Sequence, residues 1–319
     1  MALCEAAAQS TTPRWAEAVL RVRDVDLHWD EPLRRRTTFR VGGPVVCLAE
    51  PRTESALAAL IAQARAEGAS FRILGEGSNV LAPDGPWETI VIRPRSACRA
   101  VEATEEEGGA LYVGAGVRLA EWIGFCVRHG LGGVEHLVGI PGSVGGALVM
   151  NAGTREGAIA DSLAWVDALD GDGRRVRLYR RELPVSYRSL GLPAGWVALG
   201  AGFRLHLTPV SELKARMRES AVRRRRTQPL GRPSAGCVFR NPDEAPAGLL
   251  IDRAGLKGFR IGDAQVSEKH ANWIINVGQA RACDIISMME TIEKRVFDCF
   301  GIRLKREIEV WTGEEAQPL

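Results

Sequence analysis

The sequence predicts an α+β protein with three units. Short apolar segments bounded by glycine and proline indicate strands, and segments with apolar residues at helical spacing indicate helices. The 319 residues leave room for two to three ordinary domains, and a hydrophobic content of 45% is enough for a sizeable core. We place a leader at residues 1–27 and units at 28–95, 96–209 and 210–319.

The first unit begins with "TTFRVGGPVVCLAEP", in which apolar residues on both sides of Gly42 and Gly43 predict two short strands. "TESALAALIAQARAEGA" predicts a helix with Thr53 as N-cap and Gly68 as C-cap. "FRILGEGSNVL" predicts a short strand, a glycine loop and an apolar exit, and "TIVIRP" predicts another strand.

The second unit contains the pattern "LYVGAGVRLAEWIGFCVRHG", which predicts a strand, a turn and a helix with Leu119, Trp122, Ile123 and Cys126 on one face. "IPGSVGGALVMNAG" then breaks all periodicity. "SLAWVDALDGDGRRVRLYR" predicts a hairpin that turns at residues 170–173. "WVALGAGFRLHLTP" predicts a further strand.

The third unit begins with "SELKARMRESAVRRRRTQP", a predicted helix with Ser211 as cap and Pro229 as stop. A short helix at "AGLLIDRAGLKG" and a strand at "HANWIINVG" follow. "ACDIISMMETIEKRVFDCFGI" predicts a long amphipathic helix, and the chain ends with a strand at "RLKREIEVW". The apolar stripe of the long helix is typical of core rather than of a ligand site; it consists of Ile285, Met288, Met289, Ile292, Val296 and Phe300.

Charge and cysteine content exclude several classes of protein. The 42 basic and 39 acidic residues give a net charge of +3, too small a bias to indicate nucleic-acid or membrane binding. No apolar run reaches the roughly 18 residues of a membrane span, and no secretory signal is evident. The seven cysteines have long spacings and no CxxC pair, so we expect no metal site and mostly buried free thiols. We expect a cytoplasmic monomer.

Two glycine-rich segments are candidates for ligand binding. "GEGSNVL" follows a strand and can direct backbone N–H groups at a phosphate, with the Ser78 hydroxyl and the Asn79 amide as further donors. It does not fit GxGxxG, which disfavours a dinucleotide site of the Rossmann type. "GIPGSVGGALVMNAG" is almost uncharged, which suits backbone that packs closely against a ligand or, equally, a tight structural turn.

The order of motifs resembles one known family. "TTFRVGGP", "GEGSNVL", "GIPGSVGGALVMNAG", "YRSL", "PSAGCVFRNP", "AGLLIDRAGLKGFRIGDAQVSEKHANWIINVG" and "REIEVWTG" occur in the order seen in UDP-N-acetylenolpyruvoylglucosamine reductases, the MurB-type flavoenzymes. The resemblance covers about residues 37 to 313. Only residues 243–246 separate "FRNP" from "AGLLID", so the chain resembles the shorter subtype that lacks an insertion there.

The resemblance implies a two-lobed FAD-binding domain of the vanillyl-alcohol-oxidase type and a C-terminal α+β domain that holds the substrate. It implies non-covalent FAD, NADPH as hydride donor, and reduction of UDP-N-acetylglucosamine enolpyruvate to UDP-N-acetylmuramate for peptidoglycan synthesis. The matching motif positions are the predicted FAD-binding residues: Arg40, Gly42, Gly75, Gly77, Ser78, Asn79, Gly139, Ile140, Pro141, Gly142, Ser143, Gly145, Gly146, Asn151 and Gly153.

The resemblance also implies three catalytic residues. Arg188 and Glu307 match the pair that stabilises an enolate-like intermediate. Cys237 occupies the position of a serine that donates a proton to carbon. A thiol with a pKa near ~8.5 is a stronger acid than a serine hydroxyl, but nearby arginines would lower that pKa and favour the thiolate. The alternative is an inert buried cysteine, with the proton supplied by water.

The UDP-sugar substrate is expected to contact a further set of residues in these motifs. They are Tyr187, Arg226, Gln228, Asn241, Lys257 and His270. Without the resemblance, the arginines at 223–226 would be a solvated helix end and His270 a structural histidine.

Two other functions stay open on the sequence. One is a flavin-dependent oxidoreductase on the same scaffold with another substrate; a flavin tethered through His129 or His136 would favour it. The other is nucleic-acid binding by the arginine run at 223–226, but no Tyr or Phe lies near that run.

Overall fold

A computed structural model of the protein describes residues 13–105 and 110–311. Its α-helices are α1 (Arg14–Leu20), α2 (Glu54–Ala66), α3 (Leu119–Arg128), α4 (Val144–Val149), α5 (Val210–Thr227), α6 (Ala247–Arg253) and α7 (Ala282–Phe300). Its strands are β1 (Val25–Pro32), β2 (Pro44–Pro51), β3 (Phe71–Ile73), β4 (Val80–Leu81), β5 (Trp87–Ile92), β6 (Val101–Thr104), β7 (Ala110–Gly114), β8 (Leu131–Gly132), β9 (Gly153–Thr154), β10 (Gly157–Ala158), β11 (Leu163–Leu169), β12 (Arg175–Tyr179), β13 (Val197–Phe203), β14 (His206–Leu207), β15 (Arg260–Ile261), β16 (Ala264–Val266), β17 (Ile274–Asn276) and β18 (Glu309–Val310).

A four-stranded sheet forms the first lobe, in the order β1-β2-β5-β3. β1 and β2 are antiparallel, whereas β5 is parallel to both of its neighbours. α2 packs its apolar stripe against this sheet, and Thr53 caps it by accepting a hydrogen bond from the Ala56 amide at 3.1 Å. The boundary that we placed after residue 27 falls inside β1.

The strand prediction for "TTFRVGGP" was wrong, because only β2 is a strand there. Residues 37–42 form a tight loop instead. Gly42 has φ +127°, and a Cβ on it would lie 2.8 Å from the Ala82 Cβ and 2.9 Å from the Leu33 Cβ. Close packing of this loop against its neighbours therefore replaces strand pairing.

A five-stranded antiparallel sheet forms the second lobe, in the order β12-β11-β13-β7-β6. The predicted hairpin is confirmed: β11 pairs with β12, with Leu169 opposite Arg175. α3 buries the predicted face, and one hydrophobic cluster joins it to α1, α2 and the first sheet. The two lobes therefore share a core, and α1 belongs to it through buried Trp15 and Val19.

The third unit packs α6 and α7 against the sheet β15-β16-β17. The methionine stripe of α7 is core, as predicted, since Met288 and Met289 are fully buried. Phe300 was wrongly placed in that stripe; it lies at the end of the helix and is 38% exposed. α5 begins at Val210, and Pro209 occupies its N-cap position. The prediction of Ser211 as the cap was therefore wrong.

The end of the described chain returns to the first lobe. β18 runs parallel to β4, with Glu309 opposite Val80, and the Trp311 amide donates to the Leu81 carbonyl at 2.9 Å. Asp84 also accepts hydrogen bonds from the first amides of α7, at 2.6 Å and 2.9 Å. These contacts hold the third unit over the glycine loops.

The described cysteines are all free thiols. Cys47, Cys98 and Cys126 are buried, and burial raises the pKa of each to about 12. Cys283 and Cys299 are exposed, so the expectation of mostly buried thiols holds for only half of this set. Cys4 lies outside the described residues. Within residues 13–105 and 110–311 there is no helix long and apolar enough to cross a bilayer.

Candidate active site

The two predicted glycine loops pack against each other. The Ser78 hydroxyl donates a hydrogen bond to the Pro141 carbonyl at 3.0 Å. A Cβ on Gly75 would lie 2.5 Å from the Ser143 Oγ, which itself accepts from the Gly146 amide and caps α4. Glycine at position 75 is therefore what allows the loops to approach so closely.

The amides of the first loop remain available to a ligand. From Gly75 to Asn79, no backbone N–H donates a hydrogen bond to another group in the described part of the chain. Gly77 has φ +64°, and a Cβ on it would lie 2.8 Å from the Thr37 Cα. Consecutive free amides in a glycine turn form a concave anion site.

In the second loop, some of the predicted residues pack tightly against their neighbours and others are partly or fully exposed. Gly145 packs tightly, because a Cβ on it would lie 2.8 Å from the Ala115 Cβ. Gly139, Pro141 and Gly146 are exposed, and Gly142 and Ile140 are half-buried. The loop therefore presents an uncharged backbone surface beside the free amides. It contains α4, a helix that its sequence pattern had concealed.

Arg40 and Asn151 have left-handed backbone, with φ of 56° and 40°. Arg40 is exposed. The Asn151 Nδ2 donates to the Ser186 carbonyl at 3.0 Å, and its Oδ1 accepts from the Ala160 amide at 3.4 Å. These hydrogen bonds anchor the turn that carries Arg188.

Arg188 and Glu307 meet, although 119 positions separate them. The Arg188 Nε lies 2.8 Å from the Glu307 Oε1, but its N–H is not directed as in a formed hydrogen bond. The Arg188 Nη1 donates to the Gly153 carbonyl at 3.3 Å. Burial raises the pKa of Glu307, and the Arg188 charge opposes that rise. Asn79 links this pair to the first glycine loop by donating to the Glu307 carbonyl at 3.2 Å.

Arg188 also has left-handed backbone, with φ 60°. It sits in a tight turn closed by two hydrogen bonds between Ser186 and Ser189, at 2.9 Å and 3.2 Å. Left-handed backbone costs a non-glycine residue about 1 kcal/mol. Of the five described non-glycine residues with positive φ, Arg40, Asn151 and Arg188 are predicted site residues.

Cys237 lies beside this ion pair. The next residue, Val238, accepts a hydrogen bond from the Glu307 amide at 2.7 Å. Burial raises the pKa of the Cys237 thiol to about 11, the Glu307 charge adds to the rise, and the charges of Arg188 and Arg224 oppose it. The arginines lower this pKa, as expected, but burial outweighs them, so the net shift is upward and the thiolate is not favoured.

A cavity of about 300 Å³ opens at Cys237. Three predicted substrate residues line it. Asn241 accepts a hydrogen bond from the Ala247 amide at 3.0 Å, Lys257 pairs with Asp252 at 2.7 Å, and burial lowers the pKa of His270. The cavity therefore brings together residues that the sequence spreads over 34 positions.

The other predicted substrate residues lie around this centre. Tyr187 is 54% exposed, and the Arg188 guanidinium lies 5.1 Å from its ring centre. Arg226 is exposed at the end of α5. Within the arginine run at 223–226, the charge that acts on Cys237 is that of Arg224, which the sequence did not single out; Arg224 also donates to the Gly139 carbonyl at 2.8 Å.

Three side chains that act on the Cys237 thiol have buried polar atoms without hydrogen-bond partners among the described residues. These atoms are the Nε of Arg188 and Arg224 and the Nε1 of Trp273. The Oε1 of Gln228 and the Nε of Arg240 are also buried without partners. Buried polar groups are almost always satisfied, so a cluster of unsatisfied ones indicates a ligand site.

Of the two histidines considered for a covalent flavin bond, His129 is engaged elsewhere, whereas the buried Nε2 of His136 has no hydrogen-bond partner among the described residues. The His129 Nδ1 lies 2.9 Å from the Phe125 carbonyl, and its ring stacks on the Phe125 ring. Burial lowers the pKa of His136. Its ring faces Gly157, where a Cβ would lie 3.4 Å from its Nε2.

Two protein families match successive parts of the chain. Residues 45–179 match the family described as FAD binding domain. Residues 228–311 match the C-terminal domain of UDP-N-acetylenolpyruvoylglucosamine reductase. The predicted combination of an FAD-binding domain and a C-terminal α+β domain is confirmed.

Relatives extend this match over nearly the whole chain. A UDP-N-acetylenolpyruvoylglucosamine reductase from Syntrophobacter fumaroxidans is 55% identical over 92% of this chain and 86% of its own length. One from Desulfosudis oleivorans is 42% identical over 93% and 97%. The crystal structure of the Thermus caldophilus enzyme superposes with a TM-score of 0.74 at 38% identity, covering 90% of this chain and 99% of that one. The chain therefore belongs to the family of UDP-N-acetylenolpyruvoylglucosamine reductases.

Proposed function

We propose that the protein uses NADPH and non-covalent FAD to reduce the enolpyruvyl double bond of UDP-N-acetylglucosamine enolpyruvate. The product is UDP-N-acetylmuramate, a precursor of peptidoglycan. One observation carries this proposal: Arg188 and Glu307 come from distant segments to form an ion pair whose charges act on Cys237, and Cys237 lines a cavity. Family membership supports the same reaction, and we expect it to take place in the cytoplasm.

The glycine loops fit FAD. The free amides from Gly75 to Asn79 would neutralise its pyrophosphate, with the Ser78 hydroxyl fixing the second loop against the first. The uncharged segment from Gly139 to Gly146, in which Gly139, Pro141 and Gly146 are exposed, suits a flat ring. When bound, FAD supplies the hydride that adds to one carbon of the substrate double bond.

Arg188 and Glu307 stabilise the charge that develops next to the substrate carboxylate. The guanidinium is held by the Glu307 carboxyl and the Gly153 carbonyl, so it is oriented before substrate arrives. A preoriented cation in a buried site stabilises developing negative charge more than a solvated one does. Burial raises the pKa of Glu307, so its proton is available to the forming oxyanion at higher pH than in an exposed glutamate.

Cys237 supplies the proton to the second carbon. Its S–H bond breaks as the C–H bond forms, which leaves a thiolate that regains its proton from solvent. With a pKa of about 11, the thiol is protonated at neutral pH and ready to donate. The positive charges of Arg188 and Arg224 lower the cost of the transient thiolate.

The cavity beside Cys237 holds the UDP-sugar. Lys257 offers positive charge to its pyrophosphate, and Asn241 and His270 offer hydrogen bonds. Arg226 and Gln228 remain proposed pyrophosphate contacts from the other side. Arg224 joins them, because its buried Nε has no acceptor among the described residues.

The test is an anaerobic titration of the purified protein. We expect a flavin spectrum that NADPH bleaches and that UDP-N-acetylglucosamine enolpyruvate restores at once. Flavin that bleaches but never recovers with this substrate would contradict the proposed substrate, and absence of flavin binding would contradict the whole proposal. Acid precipitation should release the flavin into solution; flavin retained on the precipitate would favour a covalent oxidoreductase of the same fold.

The Cys237 pKa makes the pH dependence of activity diagnostic. Donation needs the protonated thiol, whose raised pKa of about 11 keeps it protonated up to about pH 10. We therefore expect kcat to show no thiol-dependent decline between pH 7 and pH 10. A thiol of ordinary pKa would cause a decline near pH ~8.5 that disappears in Cys237→Ser, and that result would contradict the assigned burial.

The contact between the glycine loops predicts the effect of one methyl group. Gly75→Ala places a Cβ against Ser143 and displaces the cap of α4. We expect FAD to bind at least about tenfold more weakly, since loss of a helix cap and distortion of the loop cost on the order of 1–2 kcal/mol. Gly85→Ala is the control, because a Cβ there has no neighbour within 4 Å in the described structure. Equal FAD affinity in the two variants, measured by fluorescence titration, would contradict the proposed cradle.

A further inference from the structure

Trp273 is tied to Cys237 through the backbone. The two residues form an isolated antiparallel bridge. The neighbouring Val238 amide donates to the Asn272 carbonyl at 2.9 Å, and the Ser267 amide donates to the Trp273 carbonyl at 2.8 Å. This pairing fixes the indole relative to the sulfur, just before β17 begins.

The indole N–H of Trp273 has no acceptor of ordinary geometry. The side chain is only 7% exposed, and its Nε1 is buried without a hydrogen bond among the described residues. The antiparallel bridge nevertheless places the two side chains on the same side of the paired backbone, and Trp273 lowers the pKa of the Cys237 thiol. A neutral thiol is a weak acceptor, so an unformed bond is expected while the sulfur carries its proton.

Leaving an N–H buried and unpaired costs free energy, because the group has lost its hydrogen bonds to water. That cost is recovered if an acceptor forms beside the N–H during the reaction. Proton donation by Cys237 creates such an acceptor, because a thiolate accepts hydrogen bonds far more strongly than a thiol. The charged groups that also act on this sulfur are Glu307, Arg188 and Arg224.

We propose that Trp273 is a positioning residue for proton transfer: its indole N–H donates to the Cys237 sulfur as the S–H bond breaks. The inference rests on the proposed function, in which the Cys237 proton passes to a substrate carbon. Trp273 is not among the residues that line the cavity, so we assign it an effect on the reaction through the sulfur.

Stabilisation of the Cys237 thiolate by the Trp273 N–H can be measured without substrate or turnover. Trp273→Phe keeps an aromatic ring and removes the N–H, so the Cys237 thiolate loses a donor. We measure the alkylation rate of Cys237 by iodoacetamide between pH 8 and 9.5 in the FAD-bound protein, by mass spectrometry of its peptide. A rise of one pKa unit cuts the thiolate fraction tenfold but raises its nucleophilicity, so alkylation should slow about threefold.

Trp165→Phe is the matched control. The Trp165 Nε1 is also buried and unpaired, but its ring packs against Arg177 in the second lobe. In the Trp165→Phe variant, we expect Cys237 to be alkylated at the same rate as in the parent protein. If Trp273→Phe fails to fold, site-specific replacement of Trp273 by benzothienylalanine keeps the two-ring shape and removes only the N–H.

The alkylation rate and the kinetic constants together decide whether Trp273 acts on the Cys237 sulfur. Slower alkylation together with lower kcat at unchanged KM supports the inference. An unchanged or faster rate overturns it, since lost packing alone would open the site and accelerate alkylation. Slower alkylation in a protein without reductase activity would sustain the Trp273–Cys237 contact and contradict the proposed reaction instead.

Discussion

Cys237→Ala is expected to lower kcat by about 10²- to 10⁴-fold, the range that a positioned general acid contributes. The thiol is protonated, lies at the cavity and adjoins the Arg188–Glu307 pair. Alanine leaves the cavity shape nearly unchanged but supplies no proton. Cys237→Ser should stay within about tenfold of the parent, because the hydroxyl restores a donor at the same position.

The measurement is single-turnover recovery of flavin absorbance after mixing the reduced enzyme with substrate. Bleaching by NADPH should be equal in all variants, since Cys237 takes no part in it. Cys299→Ala is the control, because this thiol is exposed on α7. If Cys237→Ala matches the parent rate, the proton comes from water and Cys237 is an inert buried cysteine.

Arg188→Met is expected to lower kcat/KM by about 10³-fold or more, equivalent to roughly 4 kcal/mol of transition-state stabilisation. The change removes the cation that faces the developing charge. It also leaves the Glu307 carboxyl buried without its partner at 2.8 Å, which raises the pKa of that carboxyl further.

A double-mutant cycle checks whether the two residues act as a unit. Arg188→Met combined with Glu307→Gln should lose little more activity than either single change. Arg216→Met is the control, because the Arg216–Glu135 pair at 2.6 Å has the same chemistry away from the cavity. Additive losses in the double variant would contradict a coupled pair.

Local pattern was enough to predict much of the fold. Helix α3 and the hairpin of β11 and β12 follow from periodicity and turn residues that lie within 20 positions of one another. α4 escaped prediction because Gly145 and Gly146 hide a helix that forms through the Ser143 cap and tertiary packing. Helix propensity is a weak prior where tertiary contacts decide.

The sequence motifs predicted which residues form the candidate site, but not how buried each of them is or which charges surround it. The motifs located Arg188, Cys237 and Glu307, yet the direction of the Cys237 pKa depends on burial, which no local pattern contains. Arg224 was missed for the same reason. It is one of four consecutive arginines, and only the packing of α5 against Gly139 distinguishes it from its neighbours.

The parallel pairing of β18 with β4 has a consequence for biosynthesis. Glu307 and the glycine loop are joined by a hydrogen bond from Asn79 across 228 positions, which is among the longest loop closures that the chain makes. Contacts of such separation form late, because the entropy of closing the loop must first be overcome. A nascent chain can therefore fold its first lobe early and still lack Glu307, the carboxyl that we propose for catalysis. The Arg188–Glu307 pair forms only after residue 307 has been synthesised, so shorter chains cannot carry out the proposed reduction of the substrate.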